Sequence, residues 1–290
     1  MRSAKKLVAA IAVPLILLST GCSSAPASNT PQLNATDAEA TNTVDEVEAP
    51  QITNDSDYAA FAGTTLGVIQ GALCINAIDS MGATPEAFAT TQDAVDAVES
   101  ATTTGFVAAL SGVRAMVEQR GDDVWRAVEI PESVFSVPIG AFGHDQAVID
   151  AFNEFFASRE ADGTIAAMQA RWMGEKLDLV SPIADLPEVA EDADTLVVAV
   201  TEDAIPYSFR TEDGEWMGYG VELAERFAAS QGMQVEFKDL LYADLVDFVG
   251  NGNADLGVGS IGITPERQEI VLFSNPITDE AAGILVPLQK

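Results

Sequence analysis

The chain has 290 residues, with 14 Lys and Arg against 45 Asp and Glu and a net charge of −31. That balance excludes nucleic acid and an anionic membrane surface as electrostatic partners, since both would repel it. A single histidine, His144, two cysteines, and no Cys-x-x-Cys pair, phosphate loop or nucleophile elbow leave no basis for expecting a metal, a cofactor or a catalytic residue.

Residues 1–22 read as an export signal. Arg2, Lys5 and Lys6 make a basic start, and Leu7–Leu18 is an apolar stretch of about a dozen residues, short for a bilayer span. It ends in Leu18-Ser19-Thr20-Gly21-Cys22, which resembles a bacterial lipobox with Ser19 where leucine is usual. The resemblance implies that Cys22 is acylated and forms a lipid anchor on the extracytoplasmic face of the membrane. Residues 23–57 hold no Lys, Arg or aromatic residue and read as a disordered acidic tether, too polar to bury a core. Cys74 is then a lone thiol, read as a small buried residue rather than a nucleophile.

From residue 58 onward, short apolar runs alternate with helical patterns, which indicates an α/β chain. Thr65–Ile69 predicts a strand, Gln92–Ser100 a helix, Phe106–Leu110 a strand and Val113–Arg120 the helix after it. Val134–Phe142 reads as extended, interrupted by Pro138 and Gly140. Gln146–Arg159 carries Val148, Ile149, Phe152, Phe155 and Phe156 at helical spacing, and Gly163–Met173 is a further helix. Residues 177–194, with two prolines and a cluster of acids, read as a linker. Leu196–Val200, Val235–Phe237 and Asp255–Val258 predict strands; Val221–Ser230 and Leu245–Val249 predict helices; Ile284–Pro287 is a last apolar run.

Gly259–Phe273 carries the sharpest local signal. Thr264 reads as an N-cap and Pro265 as the first residue of a helix running to Val271. Arg267 then falls in the first turn, where the helix dipole favours anions. A guanidinium beside free backbone N–H groups is a receptor for a carboxylate. The alternative is a surface Arg paired with Glu266 or Glu269.

Residues 195–290 resemble the opening segment of bacterial extracellular solute-binding proteins of family 3, the polar amino-acid type. The resemblance rests on Leu196–Val200, Ile205–Phe209, the Asp213-Gly214 turn, Met217-Gly218-Tyr219, Tyr242–Leu245, Asn251–Leu256, Ile263–Arg267 and Phe273–Pro276. Residues 58–174 resemble the family's closing segment, through Phe61–Gly71, Val137–Ala141, Asn153, Asp162-Gly163-Thr164 and Arg171–Gly174. The family's order is reversed here. A circular permutation accounts for this, with surface termini close in space making the rearrangement tolerable; the rival account joins the end of one domain to the start of another. The resemblance implies a two-lobed periplasmic-binding-protein-like fold of type II. Residues 58–138 would form lobe two, 139–176 the return helices of lobe one, 177–194 a linker, and 195–290 the core of lobe one, ending at the hinge.

It also implies a cleft that closes on a ligand. Arg267 would clamp a carboxylate bidentately, helped by backbone N–H groups of Gly262 and Thr264 and the Ser260 side chain. Tyr242 would pack on the ligand, and Gly71 and Ala72, opening a helix, would add N–H donors. Ala204 stands where an aromatic is usual, with Tyr207 as a partial replacement. The acid that would hold an ammonium group belongs near Leu110 or Ser111, where there is none; Asp203 and Glu202 are the substitutes nearby. The function implied is capture of a small carboxylate, an amino acid or relative, for an ABC permease. A ligand sensor or a degenerate interaction module is the alternative. Dehydratases and peptidoglycan lyases of this fold need a carboxylic acid in the cleft, and the matched positions supply none.

Overall fold

The β-branched run at Thr65 and its later counterpart at Thr195 each seed a parallel sheet. In the computed structural model, residues 57–174, 177–183, 186–211 and 213–288 are described; Cys22 and the proposed tether up to residue 56 lie outside them. The first half contains β1 (Thr65–Ile69), α1 (Ile75–Met81), β2 (Thr84–Phe88), α2 (Thr91–Glu99), β3 (Gly105–Ala109), α3 (Leu110–Arg120), β4 (Trp125–Glu129), β5 (Ser136–Ile139) and β6 (Phe142–Gly143). Two helices follow, α4 (Gln146–Ala161) and α5 (Thr164–Met173). The second half adds β7 (Thr195–Val200), the hairpin β8 (Phe209–Arg210) and β9 (Trp216–Met217), α6 (Tyr219–Ser230), β10 (Gln234–Asp239), α7 (Leu245–Gly250), β11 (Leu256–Gly257), α8 (Pro265–Gln268), β12 (Leu272–Phe273) and β13 (Thr278–Pro287).

The two large sheets have the same plan. One runs β2-β1-β3-β13-β4 and the other β10-β7-β11-β6-β12. In each, three parallel strands meet one antiparallel strand that arrives from the other half of the chain. The chain therefore passes from one sheet to the other twice, between β5 and β6 and between β12 and β13. The two crossings pair with each other, antiparallel, from Thr278 opposite Ile139 to Ala281 opposite Ser136. This is the two-lobed α/β, periplasmic-binding-protein-like fold of type II, with a paired ribbon as its hinge.

Capping and aromatic packing set the helices. Thr90 accepts from Asp93 N to start α2, and Asp145 from Ala147 N to start α4. The apolar stripe expected on Gln146–Arg159 packs as drawn: Phe152 meets Phe227 of α6 at 5.3 Å and Phe155 meets it at 5.6 Å between ring centres.

Several elements differ from the expectation. The strand expected at Phe106–Leu110 stops at Ala109, and Leu110 already begins α3, so the helix starts three residues before Val113. Gly112 fits this tight junction because a Cβ there would lie 2.6 Å from the Ile205 carbonyl oxygen. The helix expected at Pro265–Val271 is a single turn ending at Gln268, because the chain must reach β12 and pair with β6. Strands β2 and β4 and helix α1 gave no clear pattern: β2 is a partly exposed edge strand containing Pro85, which such positions tolerate.

Candidate functional site

Parallel α/β sheets leave a crevice beyond the carboxyl ends of their strands. Here the ends of β1, β3 and β7, the hinge strands β5 and β13, and the Tyr242 and Ser260 loops enclose a cavity. Its volume is about 60 Å³, enough for several water molecules.

Most of the wall is apolar, including Ile69, Phe106, Met116, Val137, Ile139 and Ile205. Among the lining residues there is no Lys, Arg or His, while Asp203 and Glu280 both contribute. The expectation that the cleft holds no carboxylic acid is therefore corrected. Glu280 lies on β13, is 6% exposed, and accepts two hydroxyls on one oxygen: Ser111 Oγ and, at 2.8 Å, Tyr207 Oη both donate to Oε1. Burial raises the carboxyl above its usual range, against the pull of those two donors and of Arg114. Asp203 is more committed. Its Oδ1 accepts the backbone N–H of Thr91 at 2.7 Å, at the start of α2, where a carboxylate is favoured by the helix dipole. Glu202 is exposed.

Among the described residues Arg267 forms no ion pair with Glu266 or Glu269. Thr264 does cap the turn, accepting from Arg267 N at 3.3 Å. A four-residue turn has little dipole, however, so the argument from a cation at its positive end weakens. The guanidinium spans the two halves of the chain: Nη1 donates to the Gly262 carbonyl and Nη2 to the Gly71 carbonyl, both at 2.9 Å. It also lies beside Tyr242 and works against the burial that pushes that phenol up to about 12.

Tyr242, Ser260, Gly262 and Ala72 line the cavity; Arg267, Thr264, Gly71 and Tyr207 are not among its lining residues. Tyr242 is fixed by donating to the Ser260 carbonyl at 2.7 Å. Tyr207, proposed to stand in for a stacking aromatic, is fully buried and packs edge-on against Tyr219 at 6.0 Å, which makes it a core residue. Ala72 does not open a helix: its N–H donates to the Ile69 carbonyl at 3.0 Å in a turn, and α1 begins at Ile75. Cys74 is buried and its thiol is pushed up to about 12 by that burial, so it is inert as a nucleophile.

Among known proteins, residues 196–290 match the family model of bacterial extracellular solute-binding proteins, family 3. The cyclohexadienyl dehydratase of Pseudomonas aeruginosa is 33% identical over 85 residues, 29% of this chain and 32% of that protein. A "Probable histidine-binding protein" of Neisseria gonorrhoeae is 26% identical over 117 residues, 40% of this chain and 41% of that one. The chain thus spans between 32% and 41% of the length of these two relatives. A solved ligand-binding component of an ABC-type import system from Staphylococcus aureus, with zinc bound, aligns at a TM-score of 0.44 and 8% identity, covering 78% of this chain and 66% of that chain.

Proposed function

We propose that the chain is an extracytoplasmic solute-binding protein that encloses a small amino acid or related carboxylate and delivers it to an ABC permease. The observation that carries this reading is the cavity at the strand ends of two sheets joined by a paired hinge ribbon; the family match over residues 196–290 supports it. In this reading Arg267 exchanges its two backbone carbonyls for the ligand's carboxylate, with Ser260, Gly262, Thr264, Gly71 and Ala72 around it. Tyr242 packs on the ligand body, while Tyr207 acts from behind by holding Glu280. A thermal-shift panel of amino acids, opines and dicarboxylates tests it, since a ligand that favours the folded state raises its melting temperature. Arg267→Ala should cost about 2–5 kcal/mol of carboxylate affinity, thirtyfold or more. Near-normal affinity in the variant would remove Arg267 from the site.

Two finer points belong to the same reading. Cys22 is the acylated mature residue, supported by the apolar segment and small-residue box before it; two or more acyl chains hold a protein stably on a membrane. Unchanged membrane retention of Cys22→Ala would refute this. The domain order is a circular permutation, with 58–138 as lobe two, 139–176 and 195–277 as lobe one, and 177–194 joining the old termini; the expected bound at 290 is corrected, because β13 crosses back and its residues 282–287 pair with β3 and β4 in the sheet of lobe two. The interleaved strand order of both sheets supports it. A chain rebuilt with 195–290 ahead of 58–174 should fold and bind alike; failure to fold would count against it. An enzymatic reading, dehydration in the cleft, gains one supporting observation in Glu280, and turnover of a bound ligand followed by NMR separates it from capture.

A further inference from the structure

Glu280 is the most deeply buried acid in the cavity wall. Ser111 and Tyr207 both donate to its Oε1, and neither reaches Oε2. Asp203, the other acid in the wall, gives an oxygen to the start of α2. The remaining wall is mostly apolar, with neutral polar side chains at Thr91, Cys74, Tyr242 and Ser260 and no basic side chain, while the guanidinium of Arg267 is held on two carbonyls outside the lining. A buried carboxylate with two hydroxyl donors on one oxygen, a cavity in front of it and no ion pair among the described residues has capacity for a cationic ligand. A buried charge gains most from a partner that is itself desolvated beside it.

We infer that the cavity recognises the cationic nitrogen of its ligand, with Glu280 Oε2 as counter-charge, so that the ligand class is a primary amine on a small apolar body and a carboxylate on that body is dispensable. The inference rests on the reading that this cavity is the ligand site, and it deepens it. The amine enters first and deepest. Any carboxylate stays near the rim, toward Arg267.

Three probes built on one isobutyl group test this: valine, isobutylamine, which lacks the carboxylate, and 3-methylbutanoate, which lacks the amine. Titration of the whole protein should show binding of valine and isobutylamine, and Glu280→Gln should weaken both at least tenfold. The Gln carbonyl still accepts from Ser111 and Tyr207, so the fold is expected to survive. Binding of 3-methylbutanoate alone, sensitive to Arg267→Ala and not to Glu280→Gln, would overturn the inference and leave the carboxylate reading standing. Amine binding unaffected by Glu280→Gln would overturn it as well. No binding of any probe would overturn both readings.

A second measurement needs no variant. Isobutylamine and 3-methylbutanoate are compared on the unaltered protein, so binding of the carboxylate probe without the amine probe would overturn the inference even if the variant failed to fold.

Discussion

Glu222 and Glu280 are both buried acids, 3% and 6% exposed, yet their surroundings differ in kind. Glu222, on α6, accepts Trp172 Nε1 at 2.7 Å on one oxygen and Arg226 Nε at 2.8 Å on the other. Arg171 approaches at 3.6 Å, and its guanidinium sits over the Trp172 ring at 4.1 Å. Every group in that knot belongs to α5 or α6, and together they fix the return helix against the second sheet. Glu280 instead has two hydroxyls, no cation within bonding distance among the described residues, and a cavity in front of it. A carboxylate surrounded by cations is part of the frame; a carboxylate surrounded by neutral donors and empty space has capacity for a ligand.

The largest effect should come from breaking the knot. Glu222→Ala leaves two half-buried guanidinium groups without their shared counter-charge and the Trp172 N–H without its acceptor. Removing one partner of a buried pair costs about 3–5 kcal/mol, which urea unfolding would read directly. A loss below about 1 kcal/mol, the range of exposed pairs, would mean that the knot contributes little and would erase the contrast with Glu280. A smaller effect is expected at the cavity's own seam. Gly112→Ala places a methyl group against the Ile205 carbonyl, 2.6 Å away, between α3 and the loop after β7. Overpacking of this kind costs about 1–3 kcal/mol, here against the closed arrangement rather than against either sheet. X-ray scattering should show a larger radius of gyration at little cost in melting temperature; an unchanged radius would show that the seam yields locally.

The frame was far more legible than the cavity. The apolar runs at β1, β3 and β7 and the phenylalanine stripe of α4 follow from spacing alone, because burial on one face imposes its period on the sequence. Glu222 and Trp172 lie within such patterns. Glu280 falls in Thr278-Asp279-Glu280, which reads as a polar lead-in to the apolar run at Ile284. Its burial comes from β13 pairing with β3, β4 and β5, strands at least 139 positions earlier in the chain. One signal was available: Glu280, Ala282, Ile284 and Val286 alternate, and all four are buried. That Arg267 and Gly71 lie together was implied by the family resemblance, but the hydrogen bond from the guanidinium to the Gly71 carbonyl was not legible from residue spacing.

The smallest effect sharpens the comparison best, because it reads the charge of Glu280 with no ligand present. A carboxyl whose pKa is raised by folding binds its proton more tightly in the native state than in the unfolded one. The stability it lends is complete below the unfolded value and is lost as pH rises through the folded value. Two acids act in this direction: half-buried Glu225, pushed up to about 7 by desolvation and by Glu222, and buried Glu280, raised by burial. Exposed carboxylates such as Asp162 and Glu266 are shifted downward and act oppositely, so the wild-type profile alone is a mixture. Comparison with Glu280→Gln cancels every group but one. At pH 8 the variant should be the more stable by about 0.5–1.5 kcal/mol, the scale of one hydrogen-bond rearrangement, and the advantage should fade as pH drops below the ordinary carboxyl range, where Glu280 is protonated in both folded and unfolded states. A wild type that is equally or more stable at pH 8 would mean that Glu280 is neutralised within the fold, as Glu222 is, and the distinction between the two would fail.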